Sequence, residues 1–554
     1  MASNEELTVG IPLTYWVDNE KKRVVMAEAS GDFVDVLFSF LSLPLGTITR
    51  LQSEGKFPQN QRQQQPLEIG CINNLYQSVK DLDPDVFWNK MCKEMLLSPR
   101  NPLEGSCQRL QVNVDDTRPT KYFMCHSCSK RNDLLVSTFN GARCYCGKLM
   151  KKEMELLAEE PKEGDNGVFV KGDAMFLIGD DLRVIRSSPG NSVQPLLKHR
   201  YKDLSKTDPV VVYLGVNEIF NILKKALTSK SPLSDVFIES KESKPSYTFS
   251  PYTGSSHLKD YLEIKVIVSK SQNKVLFVEA NADFVDFLVS FLTTPLGSIL
   301  NLMNAKLSLG SIDNLYTSVK NLNPSWFIES SNKSLLNLRA APQFGCKSNN
   351  LNASQDTPKY WYGTGAVKDN MGRIMISKRK DMVQDPKEVK LFEPRCRDGA
   401  RELAVGFMKR PCLFVVRDDL QVIPITTTSS ILYLQQLENI QLNDLEEHLV
   451  EIRKSHEALN LLGASLTCKE GALTQSLFYL LRKWKYQRWI PFWGVLGRKK
   501  KRHGNQKEVE VEEKEKESAV VSDMRNREKD KKVKNKENGK EKKGNMLTTP
   551  EETK

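Results

Sequence analysis

The segment Arg23–Ile48, RVVMAEASGDFVDVLFSFLSLPLGTI, returns at Lys274–Ile299 as KVLFVEANADFVDFLVSFLTTPLGSI, with 15 of the 26 positions identical. Whatever fold the first copy adopts, the second has to adopt as well. The 554 residues therefore divide into two tandem units of about 230 residues each, near the upper range of a single domain.

Within the first unit, Leu13–Asp18 and Arg23–Ala29 are β-rich runs separated by Asn19-Glu20-Lys21-Lys22, the pattern of a hairpin. Asp32 then occupies the position of a helix N-cap, with Asp35 three residues on, favourable to the helix dipole. Phe33, Val36, Leu37, Phe40 and Leu41 follow at helical spacing. Val34 and Phe38 make further faces apolar, so the helix is buried on more than one side. Leu43-Pro44 ends it and Gly46 allows a turn. The stretch Gln59–Gln65 (QNQRQQQ) lies in an insertion of eleven residues that the second copy lacks, the mark of a tolerant surface loop. A second helix, GCINNLYQSVKDLDP from Gly70 to Pro84, is matched by GSIDNLYTSVKNLNP from Gly310 to Pro324.

Cysteine is concentrated in the first unit. Cys125-His126-Ser127-Cys128 is followed fifteen residues later by Cys144-Tyr145-Cys146, with a strand expected at Leu134–Phe139 and a turn at Asn140-Gly141. Two close thiol pairs at the ends of a hairpin have the layout of a zinc ribbon, whose thiolates close a tetrahedron. Cys125, Cys128, Cys144 and Cys146 are the expected ligands of one structural Zn2+ per chain. The second pair is one residue short of the usual gap, so His126, Cys107 or Cys92 are substitutes. The alternative is four reduced cysteines in a small hairpin. At the matching place in the second copy, from Lys359 onward, no cysteine occurs before Cys396. The unit can be built without the metal.

The hairpin, the FVDxLxSFLxxPLG helix, the G-x-I-x-NLYxSV segment and the paired cysteines together resemble the plant proteins grouped as domain of unknown function 674. The resemblance covers about Leu13 to Leu477. It implies a plant source and tandem units, and it implies no activity and no catalytic residue.

Later in each unit, Phe169–Arg186 reads as two strands around Gly179-Asp180-Asp181, matched by Phe407–Pro424 around Arg417-Asp418-Asp419. Asn217–Ile238 reads as a closing helix, echoed from Ser455. Glu153–Asp165 is charged and linker-like. The expected organisation is a first unit at 1–240 with its ribbon at 120–150, a linker at 241–260, a second unit at 261–480, and a tail at 481–554. The fold class is α+β: two tandem units, each a β-hairpin with buried helices and a second hairpin layer, with a zinc-ribbon-like insertion in the first unit and a disordered C-terminal tail.

Candidates for chemistry are few. Glu28, Asp32 and Asp35 recur as Glu279, Asp283 and Asp286; grouped carboxylates suit a hard cation or acid–base work, and caps explain the aspartates more simply. Asn74, Tyr76 and Ser78 recur as Asn314, Tyr316 and Ser318, the pattern of an exposed helix face. Gly363-Thr364-Gly365 lacks the continuation of a phosphate loop. The six histidines form no recognisable triad.

The net charge of +12 is unevenly placed. From Arg482 onward there are 23 Lys+Arg against 13 Asp+Glu, whereas the preceding 481 residues hold 58 against 56. The body is nearly neutral and the basicity sits in the tail. Leu477–Gly497 mixes aromatics with cations, suited to an anionic membrane surface, to a partner or to the end of the second unit. Arg498–Arg502 (RKKKR) resembles a nuclear localisation cluster, and the alternating Lys/Glu sequence beyond it reads as disorder. MASNEEL lacks the cations and apolar run of a signal peptide, and no stretch has the apolar length of a membrane span. A cytosolic or nuclear protein is expected, with reduced thiols. The reading that follows is a non-enzymatic interaction or scaffold protein whose partner is a protein. The rivals are a nucleic-acid-associated nuclear protein using ribbon and basic tail, and an enzyme using the paired carboxylates.

Overall fold

Alternation runs along most of the first strand. Ile11, Leu13 and Tyr15 of β1 (Ile11–Asp18) are buried while their neighbours face outward. β1 pairs with β2 (Arg23–Ser30) as the expected hairpin, Leu13 opposite Ala29, with a register shift at Trp16/Val17. The computed structural model describes residues 10–58, 67–128, 134–157, 166–191, 207–238, 261–346, 357–366, 372–395, 406–425, 435, 441–453 and 456–477. The glutamine run, the 241–260 stretch, Arg498–Arg502 and the rest of the tail lie outside the described residues, as does all but the first residue of Leu477–Gly497. All described residues fall in one compact unit, Met1–Arg482.

The described residues form a mixed α+β structure with three sheets. The ribbon supplies β3 (Tyr122–Met124), β4 (Leu134–Ser137) and β5 (Lys152–Met154). The expected pair around Gly179 is β6 (Met175–Gly179) and β7 (Val184–Arg186), followed by β8 (Thr207–Leu214). The second half of the chain, from residue 261, adds β9 (Tyr261–Ser269), β10 (Lys274–Asn281), β11 (Tyr360–Gly365), β12 (Ile374–Ser377) and β13 (Val383–Leu391). It ends with β14 (Leu413–Arg417), β15 (Val422–Pro424) and β16 (Leu445–Arg453). Two five-stranded sheets run β7-β6-β2-β1-β8 and β15-β14-β10-β9-β16. β8, β13 and β16 complete the sheets without a sequence expectation for them.

The apolar helix occupies Gly31–Ser39, with Phe33, Val34, Val36, Leu37 and Phe38 all fully buried. Burying each such side chain contributes about 1.5–3 kcal/mol. Its N-cap is Ser30 rather than Asp32, which falls in the first turn. A 3-10 turn, Phe40–Ser42, follows, and Pro44 is the N-cap of a further helix, Leu45–Ser53. Gly46 is therefore inside a helix, not in a turn. Its role is close approach: a Cβ there would stand 2.9 Å from the Leu292 carbonyl oxygen and from Pro99 Cγ.

That approach is where the two halves meet. The Leu45 N–H donates to the Thr294 carbonyl (3.1 Å), and the Leu296 N–H donates to the Leu43 carbonyl (3.0 Å). The two Pro-Leu-Gly sequences thus bridge each other, Pro44 against Pro295. Further exchange is reciprocal. Helix Ile72–Asp81 of the first half lies on β15 of the second, and helix Ile312–Asn321 lies on β7 of the first. Gly70, at φ +49°, abuts the Ser465 and Leu466 backbone, and Gly310, at φ +54°, abuts Ala226 and Leu227.

The third sheet is shared outright, in the order β12-β11-β13-β4-β3-β5. β13 runs parallel to β4, Val389 opposite Leu134. At the other edge, Leu156 bridges Ile376 in parallel, the Leu157 N–H donating to the Ile376 carbonyl (2.8 Å). This one bridge joins the two edges, so the six strands, three from each half, curl round into a barrel-like sheet. Its interior holds Met124, Leu134, Val136, Met154, Ile376 and Val389. There the Tyr122 and Tyr360 hydroxyls, one from each half, lie 3.2 Å apart. The segment expected as an insertion of the first unit thus supplies three of the six strands of a sheet shared with the second half.

Candidate metal centre

Cys125 and Cys128 sit in the turn that leaves β3, where the Cys128 N–H donates to the Cys125 carbonyl (3.2 Å). After β4 the chain turns back between Ala142 and Met150. There the Gly147 N–H reaches the Cys144 carbonyl (2.8 Å), and the Cys144 N–H reaches the Lys148 carbonyl (2.9 Å). Gly147 takes φ +81°, a left-handed position that lets this one-residue-shorter turn close. Both turns then present their thiols to one point.

The four Sγ atoms all lie within 4.8 Å of one another. Cys125 Sγ is 3.6 Å from Cys146 Sγ, and Cys128 Sγ is 3.6 Å from Cys144 Sγ. A tetrahedral site with metal–sulfur bonds of about 2.3 Å requires sulfurs about 3.8 Å apart, so the donor set fits a single thiophilic ion. Cys125, Cys128 and Cys144 are buried and Cys146 is at the surface. Burial, then the neighbouring thiols, pushes Cys128 up to about 12, and burial raises Cys144 as well. The Lys148 backbone N–H holds Cys146 down at about 7. Four such groups could hold one metal ion. Cys92, Cys107 and His126 stand outside this group, which is the one such cluster of His, Cys, Asp and Glu among the described residues. Cys107 instead lies 3.6 Å from Ser42 Oγ, and Cys92 3.5 Å from Asn89 Oδ1.

The recurring carboxylates do not assemble into a site. Glu28 accepts from the Ser187 hydroxyl (2.7 Å), and Glu279 pairs with Lys265 (3.6 Å). Asp35 is fully buried and accepts the backbone N–H groups of Val168 (2.6 Å), Phe169 (2.9 Å) and Val170 (2.8 Å). Burial drives its pKa up to about 7 against those three donors. Asp286 accepts from Phe407 (2.7 Å) and Met408 (2.9 Å) and also pairs with Arg410 (2.7 Å), which in turn holds Asp283 (2.6 Å). Burial takes Asp286 to about 6, opposed chiefly by the Arg410 charge. These aspartates are not caps; they clamp the segments that lead into β6 and β14.

Nor is Asn74-Tyr76-Ser78 an exposed face. Asn74 Nδ2 donates to the Asp419 carbonyl (3.0 Å), and Ser78 Oγ accepts the Val422 N–H (3.0 Å), both in the other half. Asn314 and Ser318 do the same toward Asp181 (2.8 Å) and Val184 (2.9 Å). Tyr76 and Tyr316 donate to the Leu97 (3.2 Å) and Leu336 (3.4 Å) carbonyls. Gly363-Thr364-Gly365 is strand β11, not a loop.

Those paired motifs lie within residues 8–455, which match the family described as protein of unknown function (DUF674). The chain belongs to the DUF674 family. No curated protein and no solved structure matches it.

In this DUF674 chain the cysteine centre has a neighbour that the sequence does not announce. Phe392, from the second half, packs among Phe123, Cys125, Cys128, Cys144 and Met150, and its N–H donates to the Val136 carbonyl (2.7 Å). The exposed Tyr145 ring leans on it, centroids 5.7 Å apart. A distant aromatic of this kind carries no local spacing signal, since it is brought in by the parallel β13–β4 pairing. Among the described residues, no helix is long and apolar enough to cross a membrane.

Proposed function

We propose that this protein is a non-enzymatic interaction or scaffold protein in which Cys125, Cys128, Cys144 and Cys146 hold one structural zinc ion in a ribbon of the zinc-ribbon type. The observation that carries this reading is the closed donor set: four sulfurs within 4.8 Å fill a tetrahedron and leave no position for substrate. The metal ties the two turns of β3–β5 to each other beneath Phe392 of the second half. The rival enzymatic reading needed the repeated carboxylates, and both buried aspartates are occupied by backbone N–H groups.

The proposal includes a tandem duplication, with units at 1–240 and 261–480 joined by 241–260 and followed by the tail. Its support is the matched sheet order and the reciprocal contacts at Pro44/Pro295, Ser78/Ser318 and Gly70/Gly310. The plant origin and the cytosolic or nuclear setting belong to the same proposal. The partner in this proposal is a protein, with nucleic acid or an anionic membrane surface as alternatives through the basic tail. Elemental analysis of protein purified without a metal-binding tag tests the central claim. About one zinc per chain is expected, and a fully folded preparation free of zinc overturns it.

A further inference from the structure

We propose that the outer surface of the cysteine turns binds single-stranded nucleic acid, a reading that rests on the zinc-held ribbon and names its partner. The charge is local. Between Lys121 and Lys152 the sequence has seven Lys/Arg against a single acid, Asp133, within a body that is otherwise close to neutral. The corresponding strands of the second half, Lys359–Leu391, interleave four acids with their cations, and there Arg379 is paired with Asp381.

The cations are also placed. Arg143, Lys148 and Lys151 are exposed on the second turn. Lys148 Nζ donates across to Ser127 Oγ of the first turn (2.9 Å), and Arg143 Nη1 donates to the Gly147 carbonyl (3.3 Å). Glu153, the next acid along the chain, is held by Lys121 at 2.9 Å. In sequence between these cations is Tyr145, 39% exposed, its ring centroid 5.7 Å from that of Phe392, and Leu149 is equally exposed. An exposed aromatic within a run of cations matches what an unpaired base and its flanking phosphates require: a stacking face and a positive track. A duplex, whose bases are already stacked, would leave the Tyr145 ring unused.

The test uses the full-length protein and a labelled oligo(dT) of about 12 nucleotides, with anisotropy followed between about 50 and 200 mM KCl. The triple variant Arg143→Gln/Lys148→Gln/Lys151→Gln is expected to weaken binding about tenfold and to flatten the salt dependence by about two phosphate contacts, each worth about 0.7 in the log–log slope. Tyr145→Leu is expected to weaken binding at least about fivefold while leaving that slope unchanged. Binding by the triple variant equal to wild type overturns the proposal. So does wild-type binding to phosphatidylserine vesicles without binding to the oligonucleotide. Zinc content, measured on every sample, separates the two readings. Oligonucleotide binding by a zinc-free wild type overturns the metal and leaves the surface standing; a zinc-loaded wild type that does not bind overturns the surface alone.

Discussion

The two halves of the barrel close their outer ends by different chemistry. In the first half, Phe123 begins a cluster that continues through Cys125, Cys128, Cys144 and Met150 and is completed by Phe392 from the opposite half. In the second half, Trp361 begins a cluster of Met375, Met382 and Val383, completed by Leu157 from the first. Each cluster thus receives one apolar side chain across a parallel strand junction. What the first half does with thiols, the second does with methionine and tryptophan, Lys380 lying over the Trp361 ring at 5.2 Å. A small three-stranded ribbon lacks the apolar area to hold its own turns. One half solves this with four converging sulfurs, the other with packed side chains, and the same barrel accommodates both.

The sharpest way to break this comparison is to remove each solution in turn. Structural zinc sites contribute on the order of 10 kcal/mol to the folding of small ribbons. Cys128→Ala, or prolonged chelation, is therefore expected to abolish zinc binding and produce the largest fall in melting temperature. Met375→Ala removes a fully buried side chain from the cysteine-free end and is expected to cost about 2–5 kcal/mol, with zinc content unchanged. Differential scanning calorimetry alongside elemental analysis reads both. If Cys128→Ala melts with wild-type cooperativity and temperature, the thiols are not a staple.

The buried aspartates offer a second contrast, this time in titration. Asp35 has no cation among its described partners, whereas Asp286 has Arg410. Both have folded-state pKa values above the ordinary carboxyl range, about 7 and about 6. A carboxyl of this kind binds more protons folded than unfolded between the two pKa values, so stability falls as pH rises through that window. For Asp35 the window runs from about pH 4 to 7, and the loss is at most about 4 kcal/mol. Asp35→Asn cannot ionise and is expected to gain on wild type as pH rises from about 5 to 7.5. Asp286→Asn, whose window closes lower, should change less over the same range. Urea melts across pH check this; an Asp35→Asn protein with the wild-type pH slope would show that its three N–H donors outweigh burial.

Much of this architecture is written locally. The β1–β2 hairpin, the buried helix after it, the strand pair around Gly179 and the converging cysteines all follow from spacing within a few dozen residues. What escaped were the features set by chain crossing. Asp35 looks like a helix cap until residues 168–170 are brought to it, and Gly46 looks like a turn until Leu292 faces it. Ser78 reads as helix surface because its acceptor role toward Val422 spans 344 residues. The parallel junctions that close the barrel have no short-range turn to mark them, since parallel pairing imposes no hairpin.

Ser78 and Ser318 give the smallest and most discriminating comparison. Each hydroxyl donates to the carbonyl one helical turn back, at Asn74 (2.8 Å) and Asn314 (2.7 Å), and accepts a strand N–H from the opposite half. The accepted bond ties the halves together; the donated one is internal to the helix. Alanine at either position leaves a buried strand N–H, of Val422 or Val184, without its acceptor, at a cost of about 1–3 kcal/mol. Because the two hydroxyls share no partner, independent losses would add in the double variant. A double variant that loses clearly less than the sum would mean that the first substitution has already loosened the other junction. The halves would then hold each other as one cooperative body, joined by reciprocal contacts. Strict additivity in thermal melts would mean instead that each junction stands by itself.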